Sequence, residues 1–416
     1  MIKAKNRLYT NWFIFVLAIP LINAIATLTV GYFPPGALHP GTVSAFFIGI
    51  FFIYFISYSY PINKATIVIL LLVIYLFFLT IISSNPSRSI YVYLRFFIAS
   101  IMFPIGYYYV NTYTRLKAFW MTLLWVLVLF VISIAFFNLF KIGSSDYLEG
   151  SFYFGEFGVN ITKNMVVLLM TAPVFFLIVE KKIWRFTAIF LFSAALIITI
   201  LGVKRSALLA IIGGILSYAI FSPRKGRTFK LGLIALLILF LASPYFIDTF
   251  WERFDARKEN VSMTVGELDE DEGRVHEINV TVDRFKNAHF TEKLFGKDVF
   301  LYRDFFGTGR LRMTHIDYMA MLDGAGLIGL FLFLFSYIAI YVNSRRFYLL
   351  TSKSLLAQEL YATMITLIVV QAILSIGGTI TGIDLRGIIL MILGAIMGTL
   401  KGLAIETYNS KNEIPR

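Results

Sequence analysis

The sequence predicts an all-α, polytopic integral membrane protein of about 12 transmembrane helices, on three observations. Apolar residues make up 58% of the 416-residue chain and charged residues only 15%, against about 25% charged in a soluble globular chain. So little polar surface cannot face water on all sides, which excludes a disordered chain and a single aqueous core. The 42 Phe and 23 Tyr suit helices that meet lipid along their flanks and headgroups at their ends. Apolar stretches of about 20 residues, the length of one span, start near Trp12, Thr42, Ala65, Ile90, Ala118, Met165, Ile183, Ala207, Leu231, Ile316, Leu356 and Leu385.

The first stretch follows Lys3, Lys5 and Arg7 and resembles a signal peptide in its charge. It leads into Tyr32-Phe33-Pro34-Pro35 rather than a small-residue cleavage site, so it reads as the first span. Pro20, Pro104, Pro173 and the Gly213-Gly214 pair fall inside spans, where neighbouring helices satisfy the freed backbone groups. With the N-terminus cytoplasmic, the inner segments hold 19 Lys and Arg and the short outer segments and outer helix halves hold 7. That bias places both termini inside.

The other 11 basic residues lie in one outer connection, 251–315, beside 13 acidic ones. The chain thus divides into residues 1–250 with spans one to nine, the large outer loop 251–315, and residues 316–416 with spans ten to twelve and a cytoplasmic tail. A loop of this length is usually functional. Short helices over the outer membrane surface are expected in it, with the acidic run Gly266–Gly273 as a solvated piece. A second outer segment, Lys141 to Asn164, is expected in the same cover.

The net charge of +13 points to anionic lipid and lipid-linked phosphate as partners rather than nucleic acid. With no Cys there is no disulfide, thiolate nucleophile or Cys-ligated metal. Asp269-Glu270-Asp271 has the D-x-D spacing of some metal sites but sits in a run of four acids, and His276-Glu277 lacks the second His of a zinc-protease helix. No Walker A motif, nucleophile elbow or Rossmann fingerprint is present.

Three outer features carry candidate chemistry. Lys204-Arg205-Ser206 form a short turn between the seventh and eighth spans, where the cations either snorkel to headgroups or hold a lipid phosphate. Arg274 follows the acidic run and either pairs with its acidic neighbours or reaches a ligand. The stretch Gly307-Thr308-Gly309-Arg310-Leu311-Arg312-Met313-Thr314-His315-Ile316-Asp317-Tyr318 enters the tenth span and is followed by Gly326-Leu327-Ile328-Gly329. An imidazole there accepts a proton near neutral pH, or makes a structural hydrogen bond. Asp317 and Asp323 need partners if buried, and Arg95 inside the fourth span needs a polar cavity.

The Arg-Ser turn after the seventh span, the large loop, and His315 followed at fixed distance by Gly326-Leu327-Ile328-Gly329 resemble the O-antigen ligase and polysaccharide polymerase superfamily of bacterial envelopes. The likeness covers roughly Lys163 to Val342. It implies a GT-C-like membrane fold with a structured periplasmic loop between the ninth and tenth helices. It also implies metal- and cofactor-independent transfer of a glycan from undecaprenyl pyrophosphate to a sugar hydroxyl at the periplasmic face of the inner membrane. By the same likeness Arg205 and Arg274 contact the pyrophosphate, with Lys204, Arg310 and Arg312 completing a cationic clamp, and His315 orients or deprotonates the acceptor. The chain has Ile316 where relatives usually carry Asn and lacks an aromatic residue shortly after Arg274, which makes Arg284 the fallback. Arg95, Asp317 and Tyr318 stand as supporting candidates.

The leading expectation is an O-antigen or exopolysaccharide repeat-unit polymerase. The alternatives are a ligase moving polymer onto lipid A core and, in another class, a lipid-linked oligosaccharide flippase. A transporter should carry ionisable residues near the bilayer midplane, whereas here they gather at one face.

Overall fold

The computed structural model describes residues 63–142, 153–154, 161–202, 204–224, isolated positions from 226 to 255, and residues 270–300, 314, 316–378 and 383–412. The first two expected spans and most of the ninth lie outside this set, as do Arg310, Arg312 and His315. The described helices are α1 (Lys64–Ile81), α2 (Pro86–Tyr109), α3 (Tyr113–Phe140), α4 (Ile161–Leu169), α5 (Ala172–Ile178), α6 (Lys182–Leu201), α7 (Arg205–Phe221), α8 (Glu270–Asn287), α9 (Phe290–Phe295), α10 (Asp317–Thr351), α11 (Leu355–Ile376) and α12 (Ile383–Asn412).

Among the described residues six helices are long and apolar enough to cross a membrane: α1, α3, α6, α10, α11 and the Leu385–Asn409 stretch of α12. The count is seven if α4 and α5, bent by 44° relative to each other, form one broken span. Pro173 at the start of α5 marks that break, because proline suits a first helical turn but cannot continue the turn before it. The chain is a multi-pass membrane protein. Exposed Phe78, Phe186, Phe190 and Phe331 would each disfavour water and are at home against lipid.

Local sequence starts several helices where they begin. Asn63 caps α1, its side chain accepting from the Thr66 N–H at 2.9 Å, and Ser354 caps α11. Such caps satisfy N–H groups that have no partner within the helix.

The central pair is α2 with α12, joined through a glycine stripe. Gly394, Gly398 and Gly402 recur every fourth residue, so they lie on one face. A Cβ at each would collide with the carbonyl oxygen of Phe103, Tyr107 or Asn111 on the partner side, and Gly106 faces the Met391 carbonyl in the same way. Backbones can approach this closely only where side chains are absent, which is how membrane helices without a hydrophobic driving force associate. Thr399 Oγ1 donates to the Val110 carbonyl at 3.1 Å across the same seam. A second seam joins α7 to α11, with Gly213 and Gly214 against Ile373 and Val370. The buried Tyr218 hydroxyl donates to Glu359 there.

The tenth span departs from the simple expectation of a helix entering at Ile316. Gly326 breaks α10 with φ 66° and ψ −168°. In a straight helix Tyr318 and Phe333 would lie about 22 Å apart along the axis, yet their ring centroids are 6.0 Å apart. Residues 317–325 therefore run back alongside 327–351, and the membrane-crossing part begins after Gly326. Small residues form the corner: a Cβ on Gly326 would stand 2.5 Å from both the Leu294 carbonyl oxygen and the Gly296 nitrogen. Gly296 itself has φ 72°, a conformation glycine adopts without steric cost.

This corner is pinned to α1 and α2. Tyr75 Oη donates to the carbonyls of Phe295 at 2.7 Å and Ala325 at 2.9 Å. Buried Asp298 accepts from the Ser84 N–H at 2.6 Å and the Ser83 hydroxyl at 3.2 Å. The end of the loop region is thus held by hydrogen bonds to the α1–α2 connection, as a folded element and not a free tether.

Candidate functional site

Three elements meet at the end of α11. From α4, buried Lys163 donates through Nζ to the carbonyls of Gly377 at 3.0 Å and Gly378 at 2.8 Å. From α7, Ser206 packs on Gly377, where an added Cβ would lie 2.8 Å from the Ser206 Cβ. From α10, Tyr318 Oη donates to the Ala372 carbonyl at 2.9 Å. A helix C-terminus presents carbonyls without intrahelical partners, so an ammonium and a phenol are chemically apt neighbours. Through α11, the start of α7 and the start of α10 belong to one end of the bundle, although 112 positions separate Arg205 from Asp317.

Those sequence-predicted residues that are described then take their places. Lys204 is the half-buried N-cap of α7, and its carbonyl accepts from the N–H groups of Ala207 and Leu208; its side chain makes no capping bond. Arg205 opens the helix and is exposed, so a guanidinium stands beside the positive end of a 17-residue helix, an arrangement that attracts anions. Arg274 lies on α8, with its side chain outside the described residues. Arg284, further along α8, is committed to Asp323 of α10 at 3.5 Å. Arg95 is half-buried on α2.

Asp317 is only 1% exposed, and Tyr318 is half-buried. The fold-back explains this depth. Nine residues of helix separate Asp317 from the Gly326 corner, about 13 Å, and Thr314, Ile316 and Asp317 are all buried. Tyr318 and Tyr337 both lie within electrostatic range of Asp317 and Arg386.

Arg386 is a residue that sequence reasoning left unassigned. On the first turn of α12 it is 2% exposed, its guanidinium stacked 4.6 Å from the Phe96 ring centroid and 4.7 Å from that of Phe333. Nη2 reaches the Tyr337 hydroxyl at 3.4 Å, while Nε and Nη1 have no hydrogen-bond partner among the described residues. A buried cation in a membrane protein is costly and usually functional; two aromatic faces recover part of that cost through cation–π attraction. Phe300 packs on Phe96 at 6.1 Å and Tyr318 packs on Phe333, so the described residues on both sides of 301–313 flank this guanidinium. The only signal in the sequence was an arginine at the start of an otherwise apolar stretch. Lys163 was likewise read as a plain outer cation, whereas it is a buried tie between α4 and α11.

No curated protein matches the chain. Residues 188–334, about a third of the chain, match the family model described as O-Antigen ligase. The matched stretch contains Lys204, Arg205, Arg274, Arg284, His315, Asp317 and Tyr318, and ends just past the Phe333 that stacks on Arg386. Its beginning lies within α6 and its end within the membrane-crossing part of α10. Over residues 188–334 the chain is thus similar to the O-Antigen ligase family.

Proposed function

We propose that the protein is a periplasm-facing glycosyltransferase of the bacterial inner membrane, both termini cytoplasmic, moving a glycan from undecaprenyl pyrophosphate to a sugar hydroxyl, as a repeat-unit polymerase. The observation that carries this reading is the meeting of α4, α7 and α10 on the end of α11, which draws Arg205 and the residues flanking His315 to the same end of the bundle.

The chemistry follows from the donor. Outside the cytoplasmic membrane no sugar nucleotide is supplied, so the donor must carry its own leaving group, and a lipid pyrophosphate does. The acceptor oxygen attacks the anomeric carbon, a new C–O bond forms, and the bond from that carbon to the pyrophosphate oxygen breaks with its electron pair on the phosphate. Charge grows on the departing group. Arg205, with Lys204, Arg274, Arg310 and Arg312, meets that charge through forked, charge-assisted hydrogen bonds, most effectively in a partly dry cleft. The proton of the acceptor hydroxyl passes to His315, a contribution of about 10²- to 10⁴-fold for a positioned base. In this reading Arg386, buried between the rings of Phe96 and Phe333, adds fixed positive potential, and Asp317 and Tyr318, which follow His315 in the chain, support its imidazole.

The test is reconstitution with an undecaprenyl-pyrophosphate-linked repeat unit, offered either alone or with lipid A core. A ladder of lengthened lipid-linked products without core supports the polymerase. Transfer only to core makes the protein a ligase, and vectorial movement of the donor without any new glycosidic bond makes it a flippase.

A further inference from the structure

A cavity of about 440 Å³ opens between α8, α9 and the 317–325 part of α10. We propose that it is a glycan-binding subsite, holding a neutral, polyhydroxylated sugar next to the transfer site. This proposal rests on the glycosyltransferase reading and names where the sugar of one substrate is held.

Charge decides against a diphosphate there. The lining holds two cations, Arg284 and Lys297, and three carboxylates, Asp283, Glu292 and Asp323. Arg284 faces both oxygens of Asp323 at 3.5 Å, and Lys297 pairs with Glu292 at 3.2 Å. Both cations are paired within the wall, and Asp283 is itself paired with Lys286 at 3.8 Å, so the lining is close to neutral and holds no cluster of cations for an anion. Arg284 therefore belongs to this wall and not to the pyrophosphate clamp.

The same wall suits hydroxyl groups. An ion-paired carboxylate keeps acceptor lone pairs, a paired guanidinium keeps N–H donors, and an amide such as Asn287 offers both, so a sugar hydroxyl finds donors and acceptors in every direction. Phe285, half-buried in the lining, supplies an apolar face for the C–H side of a sugar ring. The volume falls within the range of about 300–1,000 Å³ found for small-molecule sites.

Position ties the cavity to the chemistry. Leu322 and Asp323 of the lining and Asp317 at the site share the short helix 317–325. Six positions separate the two aspartates, about 9 Å of helix, which is within the reach of a disaccharide whose reacting end lies near Asp317.

The test uses the full-length protein in lipid nanodiscs, with the lipid-free repeat-unit oligosaccharide released from the host's envelope polysaccharide as probe and saturation-transfer NMR as readout. Binding should weaken at least 10-fold in Ala288→Trp, which fills the cavity without touching an ion pair, and in Asp323→Asn. Inorganic pyrophosphate should not displace the sugar. Unchanged affinity in a folded Ala288→Trp protein overturns the proposal, as does displacement of the sugar by pyrophosphate. Transfer kinetics then separate the two sources of sugar: a raised KM for the acceptor alone marks an acceptor subsite, and a raised KM for the lipid-linked donor alone marks the donor's glycan. Oligosaccharide binding without any transfer keeps the cavity and removes the transferase reading; transfer at full rate by Ala288→Trp keeps the transferase and removes the cavity.

Discussion

The α2–α12 seam and the corner of α10 both depend on glycine, and they use it differently. In the seam, Gly394, Gly398 and Gly402 lie in regular helix and are small so that two backbones can touch. At the corner, Gly326 lies at φ 66° so that a helix can reverse. One device fixes a scaffold. The other carries Asp317 and Tyr318 about 13 Å into the bundle, next to a buried arginine. The comparison teaches that the rigid part of this fold lies in close-packed helix pairs, while the candidate chemistry hangs from a single break in a helix held by a few hydrogen bonds.

Substitutions can separate these roles. Gly394→Leu should have the largest effect, because the new side chain meets a backbone carbonyl that cannot move without parting α2 from α12; overpacking of this kind costs about 1–3 kcal/mol or more. Little monodisperse protein should survive size-exclusion chromatography in detergent, and a normal yield would mean that the seam is not structural. Arg205→Ala should leave insertion and yield intact while lowering transfer about 10²- to 10³-fold, the loss typical of one donor to a developing oxyanion. Full activity in a purified assay would remove Arg205 from the clamp.

Gly326→Ala tests the corner. Left-handed backbone costs a residue with a Cβ roughly 1–2 kcal/mol, and the added methyl meets the Leu294 carbonyl oxygen at 2.5 Å. A displacement of about 1 Å at Asp317 and Tyr318 would cost about 10²-fold in rate, so turnover should fall far more than the melting temperature. Equal losses in both would make the corner part of the scaffold. Arg386→Met should hold or raise the melting temperature, because a buried cation whose Nε and Nη1 have no partner among the described residues is replaced by an apolar chain of similar reach, yet turnover should fall. Reduced stability with normal turnover would assign Arg386 to packing alone. Tyr75→Phe should have the smallest effect, about 1–2 kcal/mol for leaving the two accepting carbonyls without this donor, visible as a modest drop in thermal midpoint.

The sequence made the helices legible and left their breaks hidden. Apolar runs long enough to span a bilayer announced α1, α3, α6, α11 and α12 directly, because lipid forces the backbone to satisfy itself. Gly326 was visible as part of a recurring motif, but its left-handed conformation depends on Leu294 and Gly296 packing against it, residues 30 or more positions away. The spacing of Gly394, Gly398 and Gly402 was readable as a helix-packing stripe and was overlooked among the apolar residues. For the candidate site, Arg205 and Tyr318 were expected from the family resemblance together with their local motifs. Lys163 and Arg386 could not, since nothing near them in the chain predicts a helix end or two phenyl rings as partners. Arg284 was readable as a cation, and only the fold discloses Asp323 opposite it.

The central claim, that the start of α7 and the turn before α10 share one cleft, can be measured directly because the chain contains no Cys to give background labelling. Spin labels placed at Lys204 and Thr314 of the protein in nanodiscs, read by double electron–electron resonance, should give a distance peak within two helix diameters, about 20–24 Å. A dominant peak at about 30 Å or beyond, the thickness of the hydrocarbon core, would put the two segments on separate faces and contradict the account.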